Sequence, residues 1–187
     1  MPDCIMKKSP ETFRLALVLG GARSGKSRYA LNLAESLPAP RLFVATCEPR
    51  DEEMRERIDN HQQERGPDWE TREACLDLAD FLAAPPDGYG VILVDCLTMW
   101  LSNLMHKEGV TPEGIRAAGE RLAQALAGAR TPAILVSNEV GLGIVPDNPL
   151  ARAFRDQAGW LHQRVAQVAD RVVLVVAGLP LVIKSEQ

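Results

Sequence analysis

Aromatic residues are scarce in this chain of 187 residues, where four Phe, two Tyr and three Trp make up 5% of the total. A nucleic-acid groove needs stacking rings interleaved with basic charge. The charge is absent as well, since 25 Asp and Glu outnumber 21 Lys and Arg for a formal net charge of −4. That balance gives no general pull toward nucleic acid or anionic lipid. No run of about 20 apolar residues is present, so no membrane span is expected. Cys4, Cys47, Cys75 and Cys96 are widely spaced and include no CxxC pair, which argues against zinc or dithiol chemistry and for unpaired thiols in a reducing compartment. The start, Met1 to Lys8, is positively charged but runs into Ser9-Pro10-Glu11-Thr12 instead of the apolar segment of about 7–15 residues found in an export signal. A cytoplasmic location is the expectation.

What is present suits one medium-sized domain. The apolar fraction of 46% is too high for a disordered chain, and this length supports a single core. We expect an N-terminal extension over residues 1–12 and one domain over 13–187. Phe13 to Leu19 has the continuous aliphatic run of a buried strand and ends in Gly20-Gly21. A helix is predicted from Lys26 to Ser36, with Ala30, Leu31, Ala34 and Leu37 on its apolar face and Pro38-Ala39-Pro40 as its stop. Leu42 to Thr46, Val91 to Asp95, Ala133 to Ser137 and Arg171 to Val176 are further expected strands, and Leu181 to Ile183 a short final edge. Helices are expected over Ala74–Leu82, after Asp95 through Leu104, after the N-cap pair Thr111-Pro112, and over Pro149–Val168. Strands alternating with helices predict an α/β fold with a mostly parallel sheet.

Gly20-Gly21-Ala22-Arg23-Ser24-Gly25-Lys26-Ser27 matches GxxxxGKS between a strand and a helix, the context that makes a phosphate-binding loop physically meaningful. Its backbone N–H groups and the helix terminus would receive phosphate oxygens. Lys26 would offset the β and γ charge and Ser27 would hold Mg2+, while Arg23 could touch phosphate or face solvent. Asp95 ends a later strand, where a P-loop enzyme places its second metal or water contact. No NKxD-type guanine-recognition sequence is evident, so these residues do not separate ATP from GTP. Glu139, in the glycine-containing loop after Ser137, is a candidate to orient an acceptor hydroxyl or metal-bound water, with a turn salt bridge as its structural alternative. Trp100 and Trp160 are expected as packing anchors, and His106 and His162 as structural residues.

Residues 48–73 differ in character, with ten acidic and five basic residues. A helix beginning near Asp51 would align Met54, Ile58 and His61. His61 could be a nucleophile for nucleotidyl transfer, a phosphate ligand or a packed helix residue. Arg57 and Arg65, four residues to either side, could neutralise phosphate or pair with neighbouring acids.

These ordered blocks together, Gly20 to Ser27, Asp51 to His61, Trp69 with Thr71 and Glu73, and Asn138 to Pro146, resemble the bifunctional adenosylcobinamide kinase and adenosylcobinamide-phosphate guanylyltransferase family, from Leu15 to Lys184. The resemblance implies a P-loop NTPase with a RecA-like, mostly parallel sheet flanked by helices. It implies phosphorylation of the adenosylcobinamide hydroxyl with ATP or GTP, followed by transfer of GMP from GTP to the resulting phosphate. His61 matches the residue that carries the covalent GMP. Ala45-Thr46-Cys47, Glu73 and Asp95 match further nucleotide-binding positions, and Arg57 would assist at the phosphates. A homo-oligomer is implied, a trimer being one state compatible with the family. A small-molecule P-loop kinase without guanylyl transfer and a nucleotide-gated assembly protein are the alternatives. Cys47, Gly66-Pro67 and the first 12 residues depart from the pattern.

Overall fold

The computed structural model describes residues 13–47 and 66–185. The N-terminal extension, the helix expected from Asp51, Arg57 and His61 lie outside the described residues. Among the described residues seven strands form one sheet: β1 (Leu15–Gly20), β2 (Arg41–Ala45), β3 (Trp69–Glu73), β4 (Val91–Asp95), β5 (Ala133–Asn138), β6 (Arg171–Val176) and β7 (Leu179–Ser185). Their spatial order is β3-β2-β4-β5-β1-β6-β7. All pairings are parallel except β6 with β7. Strands β1, β4 and β5 are aliphatic along almost their whole length because both faces of the sheet are covered there.

The helices are α1 (Lys26–Glu35), α2 (Leu78–Ala83), α3 (Leu97–His106), α4 (Pro112–Gly128) and α5 (Pro149–Val168). On one face, Ala30 and Ala34 of α1 pack on Ala16, Val18, Ile134 and Val136. On the other, Leu78, Trp100, Leu122, Leu161 and Val165 of α2–α5 pack on Leu15, Leu17, Val94 and Leu135. Proline and cap chemistry start the two longest helices. The Thr111 hydroxyl accepts from the Gly114 N–H at 3.2 Å, and Asn148 Oδ1 accepts from the Leu150 and Ala151 N–H groups at 2.8 and 3.2 Å. Trp100 is buried, with its indole N–H donating to the Leu76 carbonyl at 3.1 Å. Trp160 packs so closely on α4 that a Cβ at Gly119 would lie 2.7 Å from its ring.

Three segments differ from expectation. Trp69–Glu73, inside the charged stretch, is a strand in parallel register with β2. Ala74 to Asp77 do not join the expected helix, which begins at Leu78. The Ala74 N–H continues the ladder by donating to the Ala45 carbonyl at 2.9 Å, and the Cys75 and Leu76 carbonyls accept from the Asn103 and Trp100 side chains. Tertiary hydrogen bonds here override local helix propensity. The final edge is also longer than Leu181–Ile183 and closes on β6 through a two-residue turn, with positive φ at Ala177 and Gly178, the geometry that suits a right-twisted hairpin.

Candidate active site

Every expected site residue that the structure describes sits at the carboxyl rim of the sheet or in the loop leaving it. Strand register lines them up: Ala45 is level with Glu73 on one side and Asp95 on the other, and Gly20 is level with Asn138. Ligands of open α/β sheets bind outside this edge of the strands. Strand β5 lies between the phosphate-loop strand β1 and the Asp95 strand β4.

The loop from Gly20 to Ser27 is fixed by its own backbone and by two neighbours. The Ser24 N–H donates to the Gly21 carbonyl at 3.2 Å, the Glu139 N–H to the Gly20 carbonyl at 3.0 Å and the Gly178 N–H to the Ser24 carbonyl at 2.8 Å. Lys26 is only 8% exposed, and its Nζ donates to the Gly21 carbonyl at 3.2 Å, so the ammonium folds back over the loop. Glycine is required at two positions. A Cβ at Gly20 would lie 2.4 Å from Ser24 Oγ and 2.6 Å from the Val175 carbonyl oxygen, and Gly25 has φ 92° with its Cβ direction closed by Gly178. Gly25 heads α1 with no side-chain cap, which leaves the helix terminus to an external acceptor. Ser24 Oγ is buried without a hydrogen-bond partner. An orphaned hydroxyl, an uncapped helix terminus and a folded-back ammonium together fit a bound phosphate chain. Ala22, Arg23 and Ser27 are exposed on the same loop.

Thr46 is tied inward. Its hydroxyl donates to the Cys96 carbonyl at 2.7 Å and accepts from the Cys96 N–H at 2.8 Å, while its carbonyl accepts from Asn103 Nδ2 at 2.7 Å. Cys47 is the partly exposed side chain of the 45–47 segment, and Glu73 is exposed at its strand end. Burial and the neighbouring Asp95 push the Cys96 thiol up from its ordinary value; it is a packed residue beneath the site.

A buried polar cluster supports Glu139. His162 Nε2 and Ser137 Oγ are 2.7 Å apart, His162 Nδ1 lies 3.8 Å from Glu139 Oε2, and Glu139 Oε1 accepts from the Gly141 N–H at 2.5 Å. Burial lowers the His162 pKa from its ordinary value, and the nearby Glu139 charge opposes that only in part. Asn138 Nδ2 donates to Thr98 Oγ1 at 3.0 Å, fixing the end of β5 to α3. Sequence reasoning read His162 only as a structural residue and did not connect it, Ser137 or Thr98 with the site. The spacing of His162 among the inward Ala158, Leu161 and Val165 was the available sign.

A parallel sheet with a phosphate loop leaving an inner strand and acids at nearby strand ends defines a P-loop NTPase with a RecA-like arrangement. Among solved structures, a prototypical ATPase from the type III secretion system of pathogenic bacteria matches with a TM-score of 0.52 and 12% identity, over 90% of this chain and 56% of that one, a likeness of fold. The family model described as cobinamide kinase / cobinamide phosphate guanyltransferase matches residues 16–183, and the chain belongs to that family. The bifunctional adenosylcobalamin biosynthesis protein CobP of Pseudomonas aeruginosa is 44% identical, with 91% of this chain and 97% of that protein covered. The corresponding CobU of Salmonella typhimurium is 42% identical, with 91% and 99% covered. The protein is therefore a cobinamide kinase and cobinamide-phosphate guanylyltransferase, a nucleotide-binding enzyme of cobalamin biosynthesis.

Proposed function

We propose that one phosphate loop serves both reactions, with the folded-back Lys26 over a loop holding an orphaned buried hydroxyl as the observation that carries this reading. In the first reaction the aminopropanol hydroxyl of adenosylcobinamide attacks the γ-phosphorus of ATP or GTP. The bond from that phosphorus to the β–γ bridging oxygen breaks, the nucleoside diphosphate leaves, and Glu139 takes the hydroxyl proton. Lys26 and the loop N–H groups stabilise the charge on the transferring phosphoryl group. In the second reaction His61 attacks the α-phosphorus of GTP, pyrophosphate leaves, and the cobinamide phosphate displaces GMP from the histidine to give adenosylcobinamide-GDP.

Ser27 and Asp95 are the residues that would hold Mg2+, which supplies charge neutralisation at the phosphate oxygens. Among the described residues no group of three His, Cys, Asp or Glu could hold a metal, which suits a cation kept by one or two protein oxygens together with substrate phosphates. Ala45, Cys47, Glu73 and Arg57 are assigned to the nucleotide, with Thr46 acting through the shape it gives the segment. No helix among the described residues is long and apolar enough to cross a membrane, and we place the enzyme in the cytoplasm with its nucleotide substrates.

The β7 edge supports a homo-oligomer, a trimer among the states the family allows. Leu179, Leu181, Val182 and Ile183 are all exposed although they point to alternate faces of the strand. An apolar open edge is an aggregation template unless it is covered, and a second copy of the chain supplies the cover.

The deciding experiment is incubation with GTP and Mg2+, followed by intact mass and peptide mapping. A GMP adduct on His61 that is lost in His61→Ala, while phosphorylated cobinamide still forms from ATP, supports the two-reaction reading. Phosphorylated cobinamide that accumulates in the wild type with neither adduct nor GDP derivative would instead identify a kinase alone.

A further inference from the structure

The phosphate loop turns into α1 on one face of the sheet, whereas the loop after β5 turns to the other face and enters α5. This second loop carries the most exposed apolar side chains in the described structure, Leu142 at 84% and Ile144 at 96%. It is held in shape from behind, since Arg152 Nη1 donates to the Pro146 and Asp147 carbonyls at 2.8 and 2.7 Å. Its root is joined to the phosphate loop through the Glu139 N–H and the Gly20 carbonyl at 3.0 Å. Beside it lies a cleft of about 480 Å³, walled by the last turn of α3, the loop and the first turns of α5. The wall is mixed, with Met105, Val140 and Phe154 as apolar members and Ser102 and Arg155 as polar ones.

We propose that this loop and cleft form the corrinoid subsite, with the macrocycle of the acceptor lying on Leu142 and Ile144, one edge in the cleft, and its aminopropanol arm running back past Glu139 to the phosphate loop. The placement rests on the reading of the chain as a cobinamide kinase. Three observations select this occupant. The described positions assigned to the nucleotide lie in the phosphate loop after β1 and at the ends of β2, β3 and β4, leaving the β5 loop for the acceptor. The loop joins the phosphate loop at its root, so an acceptor bound there has a short path to the γ-phosphorus. A corrinoid is amphipathic, with methyl groups and carboxamide arms around one ring, and the cleft offers apolar surface together with hydroxyl and guanidinium partners for amides. The exposed pair is then surface that the substrate buries.

The test is the double variant Leu142→Asp, Ile144→Asp, assayed for phosphorylation of cobinamide and sized by light scattering beside the wild type. Both residues are exposed, so folding is preserved. We expect KM for cobinamide to rise at least about tenfold, the effect of losing roughly 1.4 kcal/mol of apolar contact, with KM for the nucleotide within about twofold of wild type. Wild-type turnover with an unchanged KM for cobinamide in the variant overturns the placement and leaves the functional reading standing. Dissociation of an oligomer in the variant also overturns it, because the loop would then be an inter-subunit face. No phosphorylation of cobinamide by the wild type overturns the functional reading, and the placement with it.

Discussion

His162 on α5 and Ser137 at the end of β5 share a buried hydrogen bond of 2.7 Å, and the same imidazole presents its other nitrogen to Glu139 at 3.8 Å. Two residues from opposite ends of a long connection thus back the carboxylate at the root of the acceptor loop, which the Gly141 N–H holds directly. Replacing His162 with Ala should open space behind Glu139 and loosen it, with the Gly141 contact as its remaining tether. The expected result is a lower kcat for cobinamide phosphorylation, by about tenfold to a hundredfold, with little change in KM for the nucleotide. Partial recovery in His162→Gln or His162→Asn would mark a positioning role, since both can still meet the Ser137 hydroxyl.

The same histidine sets a pH dependence of stability. Its folded pKa is depressed by burial, so the unfolded chain binds the proton more readily and stability rises with pH across this titration. The contribution is fully present above the ordinary histidine value of about 6.5 and declines as pH falls below it toward the folded value. Thermal unfolding between about pH 7.5 and 5 should show that decline, and His162→Gln should flatten it.

Lys26→Ala removes the ammonium that folds over the phosphate loop. Loss of one such transition-state contact typically costs about 10²–10³ in rate. We expect cobinamide phosphorylation to fall by at least that much, measured as nucleoside diphosphate released, with a melting temperature close to wild type.

Gly20→Ala places a methyl group 2.4 Å from Ser24 Oγ and 2.6 Å from the Val175 carbonyl oxygen. The serine can rotate but the β6 backbone cannot. Overpacking of this kind costs about 1–3 kcal/mol, or a fall of several degrees in melting temperature for a chain of this size. Nucleotide affinity should fall with it, as read by calorimetry. Gly21→Ala, where a Cβ meets nothing within 4 Å, is the control expected to retain stability.

Leu181→Lys with Ile183→Lys tests the β7 edge. Two charges on an exposed apolar strand should yield a monomer by light scattering at a concentration where the wild type is larger. A wild type that is itself monomeric would remove the oligomer reading.

Much of the architecture was legible because its strands are continuous aliphatic runs and its long helices carry explicit start chemistry. Val91–Asp95, Pro149–Val168 and Arg171–Val176 are observed with the expected bounds. Trp69–Glu73 was not legible as a strand, since it is an exposed edge with charged residues at three of five positions. Its strand character comes from pairing with β2, a non-local cause. The phosphate loop was readable from spacing alone because glycine, lysine and serine perform fixed backbone and charge functions there. The Ser137, His162 and Glu139 cluster was not, since it joins residues 25 apart through a fold that no local window contains.

The turn between β6 and β7 gives the phosphate loop an outside listener. Gly178 donates to the Ser24 carbonyl at 2.8 Å and closes the space beside Gly25, while the strand it starts carries the apolar edge. A partner that covered that edge would also lean on the phosphate loop. In the proposed oligomer, assembly of subunits and affinity for nucleotide would share one lever. By linkage, a nucleotide that favours the covered edge must be bound more tightly by the assembled form, and to the same factor.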